Sequence, residues 1–179
     1  MRCLGWLALL TVAATALGVQ QAQAQVPPQD YRGVQLRKLD TERDLLLAMA
    51  DSMPESLYRD KVTPEQRDFA HQLHHVASVV AFVCVRFFGA DGSAVPDTVG
   101  IFDSRQGLKG YVNGVYDLAS RALQNQSEED RQATASLFGQ DMPKWQIWDE
   151  IHMHTMWTAG QVVANFRKHG MPPPAFRFF

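Results

Sequence analysis

Apolar residues recur every three to four positions along four long stretches of the chain, and this spacing constrains the fold more than any other feature. It is the period of an amphipathic α-helix that buries one face. No stretch alternates apolar and polar residues with the period of two that a half-buried strand needs. The sequence therefore predicts an all-α protein, a four-helix bundle whose longer connections allow a topology other than simple up-and-down.

The first two helices differ in how clearly they are bounded. The first is predicted from about Gln35 to Ser52 on apolar spacing alone. The second has a start signal in Thr63-Pro64-Glu65-Gln66, which combines a capping hydroxyl, a proline for the first helical position and a glutamine three residues after the cap. We expect this helix to begin at Pro64 and to end by Gly89.

The second half of the chain also carries cap signals. A third helix is predicted after the cap at Asp103-Ser104, and Ser127 can cap an additional short helix that runs toward Leu137. The last helix is predicted from about Pro143 to His169, with a glycine and prolines following it. The short helix thus lies between the third and fourth helices of the bundle.

The N-terminus has the pattern of a secretory signal peptide. Arg2 precedes an apolar run over 4–19, and Ala22-Gln23-Ala24 provides a small-residue cleavage site. The alternative is an uncleaved membrane anchor, but the run is short for a membrane span. We expect residues 1–24 to be removed, 25–34 to form an extended lead-in, and 35–179 to form one domain. The mature protein would be periplasmic or secreted in a bacterium and would keep no stable membrane anchor.

Charge and cysteine content exclude several classes of protein. The chain has 17 basic and 19 acidic residues, for a net charge of −2, and no dense basic cluster. A nucleic-acid partner is therefore not expected, because such proteins neutralise phosphates with clustered Lys and Arg. Cys84 alone survives cleavage of the signal peptide, so the mature chain cannot form an intrachain disulfide. The composition is compatible with a small-molecule partner.

Apart from His169 at a helix end, the histidines form two groups, one on the second predicted helix and one on the last: His71, His74 and His75, and His152 and His154. His71 and His75 are four residues apart, as are His154 and Thr158, and such pairs share one helix face. Facing helices of a bundle can complete a metal site between them. The alternative is that these are partly buried packing histidines, and spacing alone does not decide between the two.

Several short sequence motifs resemble those of the DinB-like (YfiT-like) superfamily. The resemblance spans all four predicted helices. The motifs are Leu73-His74-His75-Val76-Ala77, Gly160-Gln161-Val162-Val163, Phe166-Arg167 and Gly170-Met171-Pro172-Pro173. The resemblance implies a four-helix bundle of unusual topology that binds a divalent metal ion through three histidines. One of these histidines lies on the second helix and two lie four residues apart on the last.

The resemblance assigns ligand positions residue by residue. His75 matches the first histidine and His154 the second, while the third position is occupied by Thr158. A hydroxyl is a far weaker zinc ligand than imidazole, so the implied zinc or nickel site is degenerate. His71, one turn before His75, or Glu150, one turn before His154, could replace the missing ligand.

Three functions are compatible with these observations. The first is an exported DinB-like bundle with a degenerate histidine metal site and no established activity. The resemblance also implies a metal-dependent hydrolase or thiol S-transferase, with Gln161 beside the ligands, although the thiols of such transferases are cytoplasmic. The third is a non-catalytic bundle that binds a small apolar molecule or a partner.

Overall fold

A computed structural model describes residues 30–176. The predicted signal peptide, 1–24, and the first half of the predicted lead-in, 25–29, lie outside the described residues. None of the described helices is long and apolar enough to cross a membrane.

Five helices and one small hairpin make up the described chain. In chain order they are α1 Tyr31–Ser52, α2 Phe69–Phe87, α3 Arg105–Asn125, α4 Glu128–Gln132, β1 Thr134–Leu137, β2 Gln140–Pro143 and α5 Lys144–Lys168. Short 3₁₀ turns at Glu55–Leu57 and Gly92–Ala94 lie in the two long connections. The predicted all-α four-helix bundle with an additional short helix is confirmed, with α1, α2, α3 and α5 as the four long helices.

The order of the helices around the bundle differs from their order in the chain. Both α1 and α2 pack against α3 and against α5, whereas α1 and α2 barely touch each other. The first two helices therefore lie diagonally across the bundle, and the 53–68 connection crosses one end. This arrangement makes α2 and α5 neighbours. The core between the helices is mostly apolar, as at the fully buried Leu39, Leu73, Val112 and Trp148.

Helix α2 begins later than predicted. Its first residue is Phe69, and the Asp68 carboxylate caps it by accepting a hydrogen bond from the backbone N–H of His71 at 2.9 Å. Thr63 does not cap a helix, since its carbonyl only closes an isolated turn with the N–H of Gln66 at 3.2 Å. The predicted start at Pro64 is therefore wrong.

Tertiary contacts explain the later start. The backbone N–H of Phe69 donates to the carbonyl of Asp60 at 3.2 Å, and that of Ala70 donates to Tyr58 at 2.9 Å. Both residues are fully buried at the start of α2. The preceding connection thus satisfies the orphan donors that a cap at Thr63 was expected to satisfy.

Helix α1 begins earlier than predicted, because Tyr31 is part of the core. Its ring meets Trp145 edge-on with centroids 6.3 Å apart, and its hydroxyl donates to the carbonyl of that residue. Residues 31–34 are consequently helical, and the prediction that they belong to an extended lead-in is wrong.

A two-stranded hairpin joins α4 to α5. Strands β1 and β2 pair antiparallel, with Leu137 opposite Gln140, and Phe138 and Gly139 form the turn with positive φ angles of 49° and 84°. Each strand has four residues and is only partly buried, so its alternation is too short to detect in the sequence. The short helix predicted to run toward Leu137 ends instead at Gln132, and the hairpin lies outside the bundle.

The remaining predicted boundaries are close to those observed. Ser104 caps α3 by accepting from the N–H of Gly107 at 3.2 Å, and Ser127 caps α4 by accepting from Asp130 at 3.0 Å. Helix α5 starts directly after Pro143 and ends at Lys168.

Candidate functional site

The contact between α2 and α5 brings two histidines together. Phe69 meets Phe166 at one end of this contact, and Phe88 stacks on Trp148 at the other, so the two helices run antiparallel. His75 and His154 face each other between these ends, with their Nε2 atoms 3.3 Å apart. Their rings lie edge to face, with centroids 5.1 Å apart and planes at 75°.

The two other predicted metal ligands lie one turn away along each helix. Thr158 is buried on α5, four residues after His154. His71 is in the first turn of α2, where its Nδ1 lies 2.7 Å from the Asp68 carboxylate and its ring stacks on Phe102 at 3.9 Å. Within residues 30–176, no group of three or more His, Cys, Asp or Glu side chains is placed to hold one ion.

Burial and a nearby cation favour the neutral form of both facing histidines. Loss of solvent lowers the pKa of His75 and of His154, and the positive charge of Arg67 lowers the pKa of both further. A neutral imidazole can ligate a metal ion or share a single hydrogen bond with a second imidazole. The Nδ1 atom of His154 is buried without a hydrogen-bond partner in the described part of the chain.

A pair of amides stabilises the same helix contact. The buried Gln72 on α2 donates from Nε2 to Oε1 of Gln161 on α5 at 2.7 Å. On α2, Gln72 lies about one turn before His75, whereas on α5 Gln161 lies seven residues, about two turns, after His154.

Two cavities of opposite character adjoin the histidine pair. The first, which we call the basic cavity, has a volume of about 420 Å³. It is lined by Arg59, Lys61, Arg67, Asp68, His71, His74, His75 and Ser78. The second, the apolar groove, has a volume of about 340 Å³. It is lined by Val79, Val83, Leu137, Phe138, Glu150, Ile151, Met153, His154 and Trp157.

His152, which the sequence groups with His154, lies in a different polar cluster. Its Nδ1 is 2.8 Å from Oε1 of Glu42 and its Nε2 is 2.5 Å from Oε1 of Gln35, both on α1. The hydroxyl of Tyr116 on α3 donates to the other Glu42 oxygen at 3.5 Å. All four residues are buried, so this cluster joins three helices through the core.

Sequence reasoning missed this buried cluster. Burial raises the pKa of the Glu42 carboxyl, and the hydrogen bond from His152 opposes that shift. The available signal was that Gln35 and Glu42 occupy positions seven residues apart in the apolar stripe that contains Leu39 and Leu46. Polar residues in such a stripe need partners on the facing helices.

Comparisons with known proteins bear on the fold. No family model matches the chain, and no curated protein matches it. A solved DinB-like protein from Bacillus cereus ATCC 10987 superposes with a TM-score of 0.66 at 16% identity, over 80% of this chain and 95% of that chain. A DinB-like protein (YjoA) from Bacillus subtilis superposes with a TM-score of 0.63 at 13% identity, over 80% of this chain and 96% of that chain.

A third solved structure is similar to the same extent. It is YfiT from Bacillus subtilis, described as a probable metal-dependent hydrolase with an unusual four-helix bundle topology. It superposes with a TM-score of 0.66 at 10% identity, over 83% of this chain and 93% of that chain. These likenesses confirm the resemblance read from the sequence at the level of the fold.

Proposed function

We propose that this chain, which has the fold of DinB-like proteins, binds a divalent metal ion, zinc or nickel, between His75 and His154. The observation that supports this proposal is the 3.3 Å separation of the two Nε2 atoms. Nitrogens bound at about 2.0–2.1 Å to a tetrahedral ion lie roughly 3.3 Å apart. The side chains are thus already spaced as two ligands of one ion.

Two features make the proposed site weak. Thr158 offers a hydroxyl where a third imidazole would be needed, and such a ligand binds zinc poorly. Nδ1 of His154 has no acceptor among the described residues, whereas ligating histidines usually donate this second N–H to a partner that holds the ring. We therefore expect a labile ion with two coordination positions left for water or a ligand.

We further propose hydrolysis as the reaction class, since YfiT from Bacillus subtilis is described as a probable metal-dependent hydrolase. A bound divalent ion would supply a water of lowered pKa for that reaction. A nucleophilic cysteine does not contribute, because burial raises the pKa of the Cys84 thiol to about 12.

The alternative is a non-catalytic bundle that binds a small molecule at the same site. The observation that favours it is the apolar groove beside His154, whose rim includes an indole that is 75% exposed at Trp157. Metal binding separates the two candidates, because the alternative does not require it.

Titration calorimetry with zinc and with nickel tests the proposed site, at a pH above 7 so that the ligands are deprotonated. We expect His75→Ala and His154→Ala each to weaken binding at least tenfold. His71→Ala is the matched control and should retain the affinity, because Asp68 and Phe102 hold the His71 ring. Equal affinities in the wild type and His75→Ala would refute the proposal.

Export stays a proposal that rests on the N-terminal sequence pattern. We propose that the mature chain begins at Gln25 and is found outside the cytoplasmic membrane. N-terminal sequencing of protein purified from its native compartment tests this. Recovery of intact Met1 in a membrane fraction would support an anchor instead.

A further inference from the structure

The basic cavity is an exception on a chain of negative net charge. The whole protein carries a charge of −2, yet this cavity is lined by three cationic side chains, Arg59, Lys61 and Arg67, against one carboxylate, Asp68. A concentration of positive charge in a cleft raises the local concentration of anions. The cavity is therefore suited to an anionic group.

Arg67 is the cation that is available to a ligand. Arg59 pairs with Asp68 at 3.2 Å, and Lys61 donates to the carbonyl of Pro64 at 3.3 Å. Arg67 is exposed and forms no ion pair or hydrogen bond within the described range, 30–176. Its charge nevertheless acts on both histidines of the pair, which places the guanidinium within electrostatic reach of them.

The apolar groove has a rim of exposed large side chains. Phe138 is 88% exposed, Trp157 75% and Met153 62%, and all three line the groove. Val79 and Val83 form its α2 side, four and eight residues after His75, so the groove follows the same face of α2 away from the pair. Exposed apolar side chains gathered around one cleft are typical of a surface that a ligand or a partner covers.

Each of the two cavities is lined by one histidine of the pair. His75 lines the basic cavity and His154 lines the apolar groove, and their Nε2 atoms are 3.3 Å apart. A ligand that spans the pair would have its charge at one end and its apolar part at the other.

We propose that this site binds an anionic amphiphile, a small molecule with one carboxylate or phosphate group and an unbranched apolar chain. The anionic group would pair with Arg67 in the basic cavity, and the chain would lie in the apolar groove against Trp157. The inference rests on the proposed function only for the position of the site, and it names the class of ligand that the site accepts.

Calorimetric titration with decanoate, decanol and decyltrimethylammonium tests the proposal, because these probes share a chain length and differ in charge. With metal removed by a chelator, we expect decanoate to bind at least tenfold more tightly than decanol, and decyltrimethylammonium not to bind. Arg67→Gln should reduce the affinity for decanoate to that for decanol and leave decanol unchanged. Arg121→Gln, which removes the same charge from α3 outside both cavities, is the matched control and should change neither affinity.

The apolar half is tested by Trp157→Ala, which should weaken decanoate and decanol by the same factor, since the indole contacts only the chain. A second experiment measures co-sedimentation with phosphatidylglycerol vesicles, and we expect the protein to stay in the supernatant. Binding to vesicles without binding of dissolved decanoate would overturn the proposal in favour of a membrane surface. A dimer that covers Trp157 would also overturn it.

Zinc binding and decanoate binding test the two proposals separately. Zinc binding by the wild type together with equal affinities for decanoate and decanol would refute the inference alone. Preferential decanoate binding in a protein that does not bind zinc would leave the inference standing and refute the metal site.

Discussion

The Nε2 atoms of His75 and His154 are 3.3 Å apart, although the two histidines are 79 positions apart in the chain. They meet because α2 and α5 are neighbours that run antiparallel. Their neutral rings lie between a basic cavity and an apolar groove. This relationship determines where the metal ion and the amphiphile are proposed to bind, and it can be tested from several directions.

A third imidazole should strengthen the metal site. Thr158→His places that imidazole four residues from His154 on the same face of α5, and we expect zinc affinity to rise at least tenfold, or about 1.4 kcal/mol. His75→Ala in the same background should abolish the gain. Thr158→Asn is the size control and should show no gain, and chemical denaturation should confirm that each variant folds around this buried position. A folded Thr158→His protein of unchanged affinity would show that the residue points away from the pair.

The histidine pair should make stability depend on pH. The pKa values of His75 and His154 are lowered, so the folded state rejects protons that the unfolded state takes up near pH 6.5. The stability that the neutral rings contribute is thus complete above pH 6.5 and is lost as the pH falls from 6.5 toward the lowered pKa values of the folded state. The unfolding free energy of the wild type should fall more steeply over this range than that of His75→Gln/His154→Gln. Parallel curves would mean that the rings titrate normally.

Glu42 should produce a pH dependence of the opposite sign. Burial raises its pKa above the ordinary 4.5, so the folded state favours the protonated carboxyl and loses stability as the pH rises past 4.5. Glu42→Gln keeps an acceptor for His152 and cannot ionise. The unfolding free energy of this variant relative to wild type should therefore increase with pH.

The control for Glu42→Gln is Glu42→Ala, which removes the partner of His152 and of Tyr116. We expect it to cost about 1–3 kcal/mol near pH 4.5, because buried polar groups lose their hydrogen bonds, and to cost less at higher pH, because alanine cannot ionise either. A constant difference between Glu42→Gln and wild type would show that burial does not raise the pKa of the Glu42 carboxyl.

The cap of α2 should depend on Asp68 and not on Thr63. Asp68→Ala removes the hydrogen bond to the N–H of His71 and should lower the unfolding free energy by about 1–2 kcal/mol. Thr63→Ala, in the isolated turn before the helix, should change it by less than about 0.5 kcal/mol. Chemical denaturation of both variants tests this prediction. A larger loss of unfolding free energy in Thr63→Ala than in Asp68→Ala would indicate that the helix begins at Pro64.

The side chain of Phe138 should lower the stability of the folded protein and strengthen ligand binding. It is a bulky, exposed residue at φ 49°, a conformation that costs an ordinary L-residue about 1–2 kcal/mol and suits asparagine better. We expect Phe138→Asn to raise the unfolding free energy by about 1 kcal/mol and to weaken decanoate binding, since the ring lines the apolar groove. Gln140→Asn is a nearby control that leaves the turn and the groove unchanged. Stronger decanoate binding in Phe138→Asn would show that the ring blocks the groove.

The sequence by itself determined the features that depend on local periodicity and local caps. Four amphipathic stretches sufficed for the all-α bundle, since an apolar face must be buried whatever its partner. The caps at Ser104 and Ser127 and the limits of α5 were found correctly, because each involves residues within one or two turns. The two facing histidines could be identified as candidate ligands because they lie in or near motifs that resemble those of a known superfamily.

Tertiary structure decided what depends on contacts between distant residues. The start of α2 moved to Phe69 because backbone groups of Tyr58 and Asp60 take up the donors at its first turn. His152 does not lie beside His154 in the candidate site, because it forms a hydrogen bond with Glu42 on another helix. The diagonal placement of α1 and α2 made α2 and α5 neighbours, and only this neighbourhood brings the nitrogens of His75 and His154 together. The spacing of residues along one helix determines which of them share a face. Which other helix that face packs against depends on the packing of the whole core, so it cannot be predicted from a local sequence pattern.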